Sequence, residues 1–385
     1  MAGCGWCALA AAPGAVSAPP DAVRLSLALP AFYTQHVDVG GFSVVGSAKV
    51  SAGALREAAY LIGQMTALRP EVLRALATNK VRFVVMAPTE FTTDIPEHRD
   101  LQPRLYWNGR ARGLGATRQR PAVSCGEENL LGYPGDPYAR ENILIHEFAH
   151  AIHGMALSRL DPTFDKRLAA AFDASARAGL WKGTYARSNH SEYWAEGAQS
   201  WFDTNRENDA EHNHVNTRAE LRDYDPALAR LCAEVFGEGP WRYVKPAVRQ
   251  PPSEHLKGLD AGRAPRFAFP QPEREWLGRF REGKESLAPG DAVEVELLAA
   301  APDPARSPRS GQPAKLYLHN VSARAVRLEW MDFEGKPSPR GVLRPGDHLE
   351  VGTFAGHLWR LADEATGRTL HFVAAPRGPG RLTLR

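Results

Sequence analysis

Residues 142–154 read NILIHEFAHAIHG, and the architecture of the N-terminal half follows from them. Apolar residues recur in this stretch at helical spacing around an HExxH motif, His146-Glu147-Phe148-Ala149-His150. Residues four apart share one face of a helix, so both imidazoles can reach one metal ion while Glu147 lies beside it. The sequence therefore predicts a metal-binding helix.

The residues on either side set limits for this helix. A turn-rich run, Gly132 to Pro137, predicts Asp136 as the N-cap and Pro137 at the first helical position. Gly154 is expected to end the helix in the left-handed conformation. Two more helices are predicted, one beginning near Asn189 and one over 226–236.

A catalytic zinc ion needs a third protein ligand and one open position. Glu192 and Glu196 stand four apart on the helix that begins near Asn189, so one can ligate the metal while the other accepts the N–H of a ligating histidine. The same spacing leaves an alternative open, because Glu192 could instead close a capping box with Asn189. His153 is interpreted as a helix-end or pocket residue.

These motifs resemble a known family. HEFAHAIH at 146–153, Tyr185 and SEYWAE at 191–196 are similar to the gluzincin-type catalytic domain of anthrax lethal factor and the Pro-Pro endopeptidases. The resemblance implies a zincin-like α+β fold and a Zn²⁺ cofactor. It implies these roles: His146, His150 and Glu192 as ligands, Glu147 as general base, Tyr185 as oxyanion donor, and Glu196 as hydrogen-bond acceptor for a ligating histidine.

The expected reaction is metal-assisted hydrolysis of a peptide bond. Glu147 would accept the proton of the attacking water, and Tyr185 would donate a hydrogen bond to the developing oxyanion. Loss of Glu147 should abolish turnover and leave the metal bound. The motif Glu211-His212-Asn213-His214 is interpreted as a solvated loop, and Arg112 to Thr117 lacks the context of a phosphate loop.

Composition bounds these interpretations. The chain has 385 residues, 43% of them hydrophobic and 24% charged, which excludes wholesale disorder and is long enough for two cores. The net charge of +3 is too small for a nucleic-acid footprint, so no nucleic-acid partner is expected. Nor does any later segment reach the length of a transmembrane helix.

Four segments are predicted: a leader at 1–27, a gluzincin-like metallopeptidase domain at 28–247, a Pro/Gly-rich linker at 248–286 and a β-sandwich at 287–385.

The secondary-structure pattern fits an α+β first domain. A hairpin is predicted over 33–47 around Gly40-Gly41, a helix over 54–76 and a buried strand over 81–86. After residue 287 the sequence consists of short runs in which apolar and polar residues alternate, separated by turns. Those runs predict strands over 314–320, 326–333, 348–354, 357–361 and 369–373.

Residues 316–367 resemble the β domain of the von Hippel-Lindau tumour suppressor. The matching texture includes Trp330-x-x-Phe333-x-Gly335-x-Pro337 and Gly356-His357-Leu358-Trp359. The resemblance implies a hydroxyproline-binding surface, with Arg340 where the family has a tyrosine. The residues carried over are Trp330, Arg340, Thr353, His357 and Trp359. A core role for Trp359 is an equally open alternative.

Together these features predict a zinc endopeptidase whose β domain docks proline- or hydroxyproline-rich polypeptides. Two alternatives stay open: a non-catalytic peptide-binding or adhesion protein on an inactive gluzincin scaffold, and a zinc hydrolase of a non-peptide substrate.

The N-terminus and the cysteines bear on localisation. Residues 1–18 are small and apolar but contain no basic residue, and Ala2-Gly3-Cys4 resembles the end of a lipoprotein box. A secreted or cell-envelope protein is therefore expected. Cys4 and Cys7 are a weak metal signal, whereas Cys125 and Cys232 could either pair or remain buried thiols.

Overall fold

The structure is a computed structural model that describes residues 14–385. The cysteines at positions 4 and 7 and the rest of the first 13 residues of the predicted leader lie outside this range. The described residues fold into two compact units, one formed by 14–101 with 110–269, the other by 102–109 with 270–385. The boundary before Pro270 falls inside the predicted linker.

The helices are α1 (Asp21–Leu27), α2 (Ala52–Thr66), α3 (Pro70–Thr78), α4 (Arg104–Arg110), α5 (Glu127–Leu131), α6 (Ile143–Ala151), α7 (Ser158–Leu160), α8 (Phe164–Arg177), α9 (His190–Trp201), α10 (Arg218–Tyr224), α11 (Pro226–Phe236) and α12 (Gln271–Arg281). The strands of the first unit are β1 (Gln35–Val39), β2 (Phe42–Gly46), β3 (Arg82–Met86), β4 (Gly113–Leu114) and β5 (Ala122–Gly126).

These five strands form one sheet in the order β1-β2-β3-β5-β4. β1 and β2 make the predicted hairpin, and Gly40 and Gly41 both adopt the positive φ that its turn requires. β2, β3 and β5 run parallel to one another. Every residue of the three strands is buried, which is typical of parallel strands because helices cover the faces of their sheet. β4 runs antiparallel to β5 at the edge of the sheet.

The limits predicted for the HExxH helix are wrong at both ends. Its N-cap is Asn142, whose side chain accepts a hydrogen bond from the N–H of Ile145 at 3.0 Å. Asp136 instead closes a local turn by accepting from the N–H of Tyr138 at 2.9 Å. At the other end α6 continues beyond Gly154 as a π-helical segment, Ile152–Leu157.

Of the other predicted helices, two agree with the structure and one does not. Asn189 caps α9, and α11 spans 226–236 as expected. The single helix predicted over 54–76 is two helices, because Pro70 starts α3. Cys125 and Cys232 are free thiols buried on β5 and α11, so the pairing alternative is wrong.

The second unit is a β-sandwich. Its strands are β6 (Val293–Glu294), β7 (Pro313–Asn320), β8 (Val326–Met331), β9 (Pro337–Leu343), β10 (His348–Phe354), β11 (Leu358–Asp363), β12 (Thr369–Ala374) and β13 (Gly378–Leu384). They form two four-stranded sheets, β10-β7-β13-β6 and β12-β11-β8-β9. The α+β class with a C-terminal β-sandwich is therefore confirmed, although the sequence did not predict β6, β9 or β13.

The predicted linker contains helix α12, which packs in the second unit. Trp276 and Phe280 of this helix are buried with Tyr106 in a small aromatic cluster. Within residues 14–385 no helix is long and apolar enough to cross a membrane.

Candidate metal centre

Helix α6 presents two imidazoles on one face. Asn142 caps the helix and fixes where it starts, which sets the rotation of His146 and His150 relative to the sheet. α6 packs on α9, whose start is fixed by the Asn189 side chain accepting from the N–H groups of Ser191 and Glu192. The two caps thus decide which residues of the two helices face each other.

His146, His150 and Glu192 come together at the contact between α6 and α9. The Nε2 atoms of His146 and His150 lie 3.2 Å apart. Glu192 Oε2 lies 3.2 Å from the first and 3.3 Å from the second. Ligand atoms at Zn–N and Zn–O distances of about 2.0–2.1 Å are about 3.3 Å apart in a tetrahedron, so this donor set fits zinc with one position open.

The position of Glu192 also decides between its two predicted roles. Its backbone N–H donates to Asn189 Oδ1, as in a capping motif. Its carboxylate, however, lies against the two imidazoles rather than on the N–H of Asn189. The capping-box alternative is therefore wrong for the side chain.

Hydrogen bonds to the outer nitrogens orient both imidazoles. His146 Nδ1 lies 2.8 Å from Gln199 Oε1 and 3.6 Å from Glu196 Oε1. His150 Nδ1 lies 2.9 Å from Ser191 Oγ. Such contacts hold a ligating imidazole in one tautomer and one orientation. Gln199 and Ser191 thus do most of what the sequence assigned to Glu196, and Gln199 could have been found from its place seven residues after Glu192 on the same helix face.

Glu196 has a different principal partner. Its Oε2 lies 3.2 Å from His212 Nε2, while Asn205 donates to the same oxygen at 3.0 Å. His212 is buried, with only 6% of its surface exposed. The prediction of a solvated loop is therefore wrong for His212, which ties this loop to α9.

A cavity of about 190 Å³ opens beside the donor set. Glu147 and Tyr185 line it together with His146, and Arg110 and Glu141 are among the other polar residues of its wall. The ring of Tyr185 lies 6.4 Å from the ring of His146, centroid to centroid. The predicted base and the predicted oxyanion donor therefore face one cavity, next to the predicted ligands.

Burial and charge set the protonation states of the metal-free site. Burial raises the pKa of Glu147, while the neighbouring His146 and His150 act in the opposite direction. Burial alone would lower the pKa of His146, but the hydrogen bond and the charge of Glu192 raise it to about 10. Burial, with the charge of Glu192, raises the pKa of the Tyr185 phenol, so Tyr185 stays protonated and can donate a hydrogen bond.

Two glycines allow the edge strand β4 and the residue after it to lie close to the HExxH helix α6. A Cβ atom at Gly113 would lie 2.9 Å from Glu147 Cγ, and one at Gly115 would lie 2.9 Å from His150 Cβ. Only glycine fits such distances without displacing the helix. The edge strand β4 therefore runs past Glu147, the predicted general base, a feature that the sequence did not indicate.

In the β-sandwich, four of the five predicted peptide-binding residues meet. The ring of His357 lies 5.4 Å from the ring of Trp330, and its Nδ1 lies 3.3 Å from Thr353 Oγ1. The guanidinium of Arg340 lies 5.4 Å from the centre of the Trp330 ring. Phe333, which the sequence analysis did not assign to the site, packs at 5.3 Å against Trp330.

Trp359 belongs to the core. It is opposite Trp330 in the β8–β11 ladder, but only 3% of its surface is exposed and it packs among the buried aliphatic residues of the sandwich. The core alternative is therefore the better description of Trp359, whereas Trp330 lies at the rim.

The β-sandwich matches a known family. Residues 305–374 match the family model of the VHL beta domain. This match contains strands β7 to β12 in full, together with the cluster around Trp330 and His357. The C-terminal module of this chain is therefore a VHL-like β domain.

Proposed function

We propose that this protein is a zinc-dependent endopeptidase whose first unit is a gluzincin of the lethal factor and Pro-Pro endopeptidase type. The observation that carries the proposal is the triangle of three donor atoms with edges of 3.2–3.3 Å, next to a cavity lined by Glu147 and Tyr185. A structural site would have no need of a base and a phenol at an open position.

Each residue has one task in the proposed reaction. His146, His150 and Glu192 would hold the ion. Zinc bound there would supply Lewis-acid chemistry, polarising a carbonyl group and acidifying water. Glu147 accepts the proton of the attacking water and later passes it to the leaving amine. Tyr185 donates its phenolic proton in a hydrogen bond to the oxyanion.

The edge strand favours a polypeptide over a small substrate. Among residues 14–385, β4 is the last strand of its sheet and pairs with β5 alone, and the glycines at 113 and 115 keep the strand against the HExxH helix. An extended peptide can add to such an edge through main-chain hydrogen bonds, which would lay a peptide bond across the cavity. A zinc hydrolase of a non-peptide substrate would not need this edge.

The VHL-like domain would dock the substrate through proline or hydroxyproline residues. Trp330 and Phe333 offer flat apolar faces to a pyrrolidine ring, while His357 and Thr353 can bond an added hydroxyl group. Burial lowers the pKa of His357, which keeps its ring neutral at pH 7. A docking module tethered to a catalytic unit raises the local concentration of a long, repetitive substrate.

The catalytic proposal is tested by cleavage of a proline-rich peptide library, with zinc measured in the same samples. Glu147→Gln should retain one equivalent of zinc at this site and lose activity by about 10²–10⁴-fold, because only the proton transfer is removed. Glu234→Gln, at an exposed carboxylate on α11, serves as the matched control and should cleave like the wild type.

Two results would contradict the proposal. Bound zinc without cleavage of any peptide would favour a non-catalytic peptide-binding or adhesion protein, and equal activity of Glu147→Gln would remove Glu147 as the base. For the β domain, calorimetry with matched proline and hydroxyproline peptides should give measurable binding of at least one. Absence of binding by both would reject docking.

A further inference from the structure

A second cluster of potential metal ligands lies on the same group of helices. It consists of His153, Asp165 and His190, whose ligand atoms all lie within 4.8 Å of one another. His153 comes from the π-helical segment after α6, Asp165 from the first turn of α8, and His190 is the first residue of α9. None of the three belongs to the donor set of His146.

The geometry centres on one carboxylate oxygen. Asp165 Oδ1 lies 3.0 Å from His153 Nε2 and 3.2 Å from His190 Nε2. These separations are close to the ligand–ligand distance of about 3.3 Å around tetrahedral zinc, and the ligand atoms of the two histidines lie within 4.8 Å of each other, so a small movement of the side chains would let one ion replace the His153–Asp165 hydrogen bond and the His190–Asp165 contact. The donor set of two imidazoles and one carboxylate is the same as that of the first site.

The cluster combines one fixed ligand with two accessible ones. The side chain of His153 is only 12% exposed, and its ring packs edge-on against Phe164 at 5.7 Å. The side chains of His190 and Asp165 are 41% and 69% exposed. An ion can therefore enter from solvent and meet one imidazole that is already oriented by packing.

The backbone around His153 is also unusual. The chain adopts a π-helical turn over 152–157, and such turns are rare and concentrated at functional sites. The turn directs the His153 ring toward α8 and α9, three residues after a ligand of the first site.

We propose that His153, Asp165 and His190 form a second zinc site, which ties the π-helical segment and α8 to the start of α9. Two imidazoles among three ligands favour zinc over magnesium or calcium. The ion would hold the first turn of α9, which carries Ser191 and Glu192, and so stabilise the contacts on which the first site depends. This inference goes beyond the proposed peptidase activity.

The test is a zinc titration of the metal-free full chain, read by calorimetry and by native mass spectrometry. The wild type should bind two ions, the second more weakly because two of its ligands are exposed. Asp165→Asn and His190→Gln should each bind one. Asp173→Asn, at an exposed carboxylate on the same helix, is the matched control and should bind two.

The variant His146→Gln tests whether the two sites bind zinc independently of each other. That variant should keep the ion that depends on Asp165, and the double variant His146→Gln with Asp165→Asn should bind none. If His146→Gln binds as many ions as the wild type while Asp165→Asn binds one fewer, the proposed catalytic site fails and the second site stands. Equal zinc binding by wild type and Asp165→Asn would overturn the second site, including the case of adventitious binding to surface histidines.

Discussion

The most specific prediction about the candidate metal centre concerns Gln199. Its Nε2 donates to Glu141 Oε2 at 3.0 Å and lies 3.4 Å from the carbonyl oxygen of Asn142, so its Oε1 must face His146. An oxygen there accepts only from a protonated Nδ1, which leaves the lone pair of His146 on Nε2, toward the metal. Gln199→Leu should remove this control of the tautomer at nearly constant volume.

The expected loss follows from the role of such partners. Removing a hydrogen bond to a ligating histidine costs about 10–100-fold in metal affinity, or about 1.4–2.7 kcal/mol. Glu196 Oε1 is 3.6 Å from the same nitrogen, too far for a hydrogen bond, so Glu196→Gln should change zinc affinity by less than about threefold. From the sequence alone, the opposite order is expected, because the second carboxylate of the helix was assigned to the ligating histidine.

Zinc affinity is measured by competition with a chelator at fixed pH. Gln199→Leu leaves Glu141 paired with Arg206 at 3.1 Å, so the metal-free variant should fold, with a loss of about 1–3 kcal/mol in unfolding free energy. Urea denaturation of both metal-free proteins measures that loss separately. A zinc affinity of Gln199→Leu within threefold of the wild type would refute the reasoning, as would a larger loss in Glu196→Gln.

Three further predictions address the edge strand, the β domain and pH. Gly115→Ala should lower zinc affinity and destabilise the protein by about 1–3 kcal/mol, since its Cβ has no room, while Gly154→Ala, with open space around it, should do neither. Trp359→Ala should cost about 3–5 kcal/mol of unfolding free energy because it leaves a cavity, whereas Trp330→Ala should mainly weaken peptide binding in calorimetry, by about tenfold or more. Burial lowers the pKa of His98 to about 4, so the unfolded chain, titrating near 6.5, binds a proton that the folded chain does not. His98 alone should therefore lower the unfolding free energy of the metal-free protein by about 3 kcal/mol as the pH drops from 6.5 to 4, and a His98→Leu variant whose stability falls as much as that of the wild type would contradict this.

Local sequence signals predicted much of the first unit. The spacing of His146 and His150, the cap at Asn189 and the hairpin glycines each depend on a few neighbouring residues, and each agrees with the structure. The start of α6 could not be predicted from local signals, because both Asp136 and Asn142 are suitable N-cap residues. Asp136 had the stronger local pattern, but Asn129 accepts from the N–H of Ile143 at 2.8 Å and so favours the later start.

The β domain was identified from its texture, and the family match confirms that identification. Strand β9 was missed because Pro337 and Pro339 interrupt the alternation, and an edge strand tolerates them. Strand β13 was missed because its glycines interrupt the strand pattern, although it pairs in parallel with β7 at the centre of its sheet. Non-local pairing overrides weak local propensity in both cases.

The sequence by itself determined the donor types of the candidate metal centre and the two-module architecture, because helical spacing and strand alternation are local properties. Only the tertiary structure decided that the Glu192 carboxylate turns to the histidines, that Gln199 rather than Glu196 orients His146, and that Trp359 is buried. Those outcomes depend on how α9 lies against α6 and how β11 lies in its sandwich. Packing between elements distant in the chain sets both, and no short stretch of sequence encodes it.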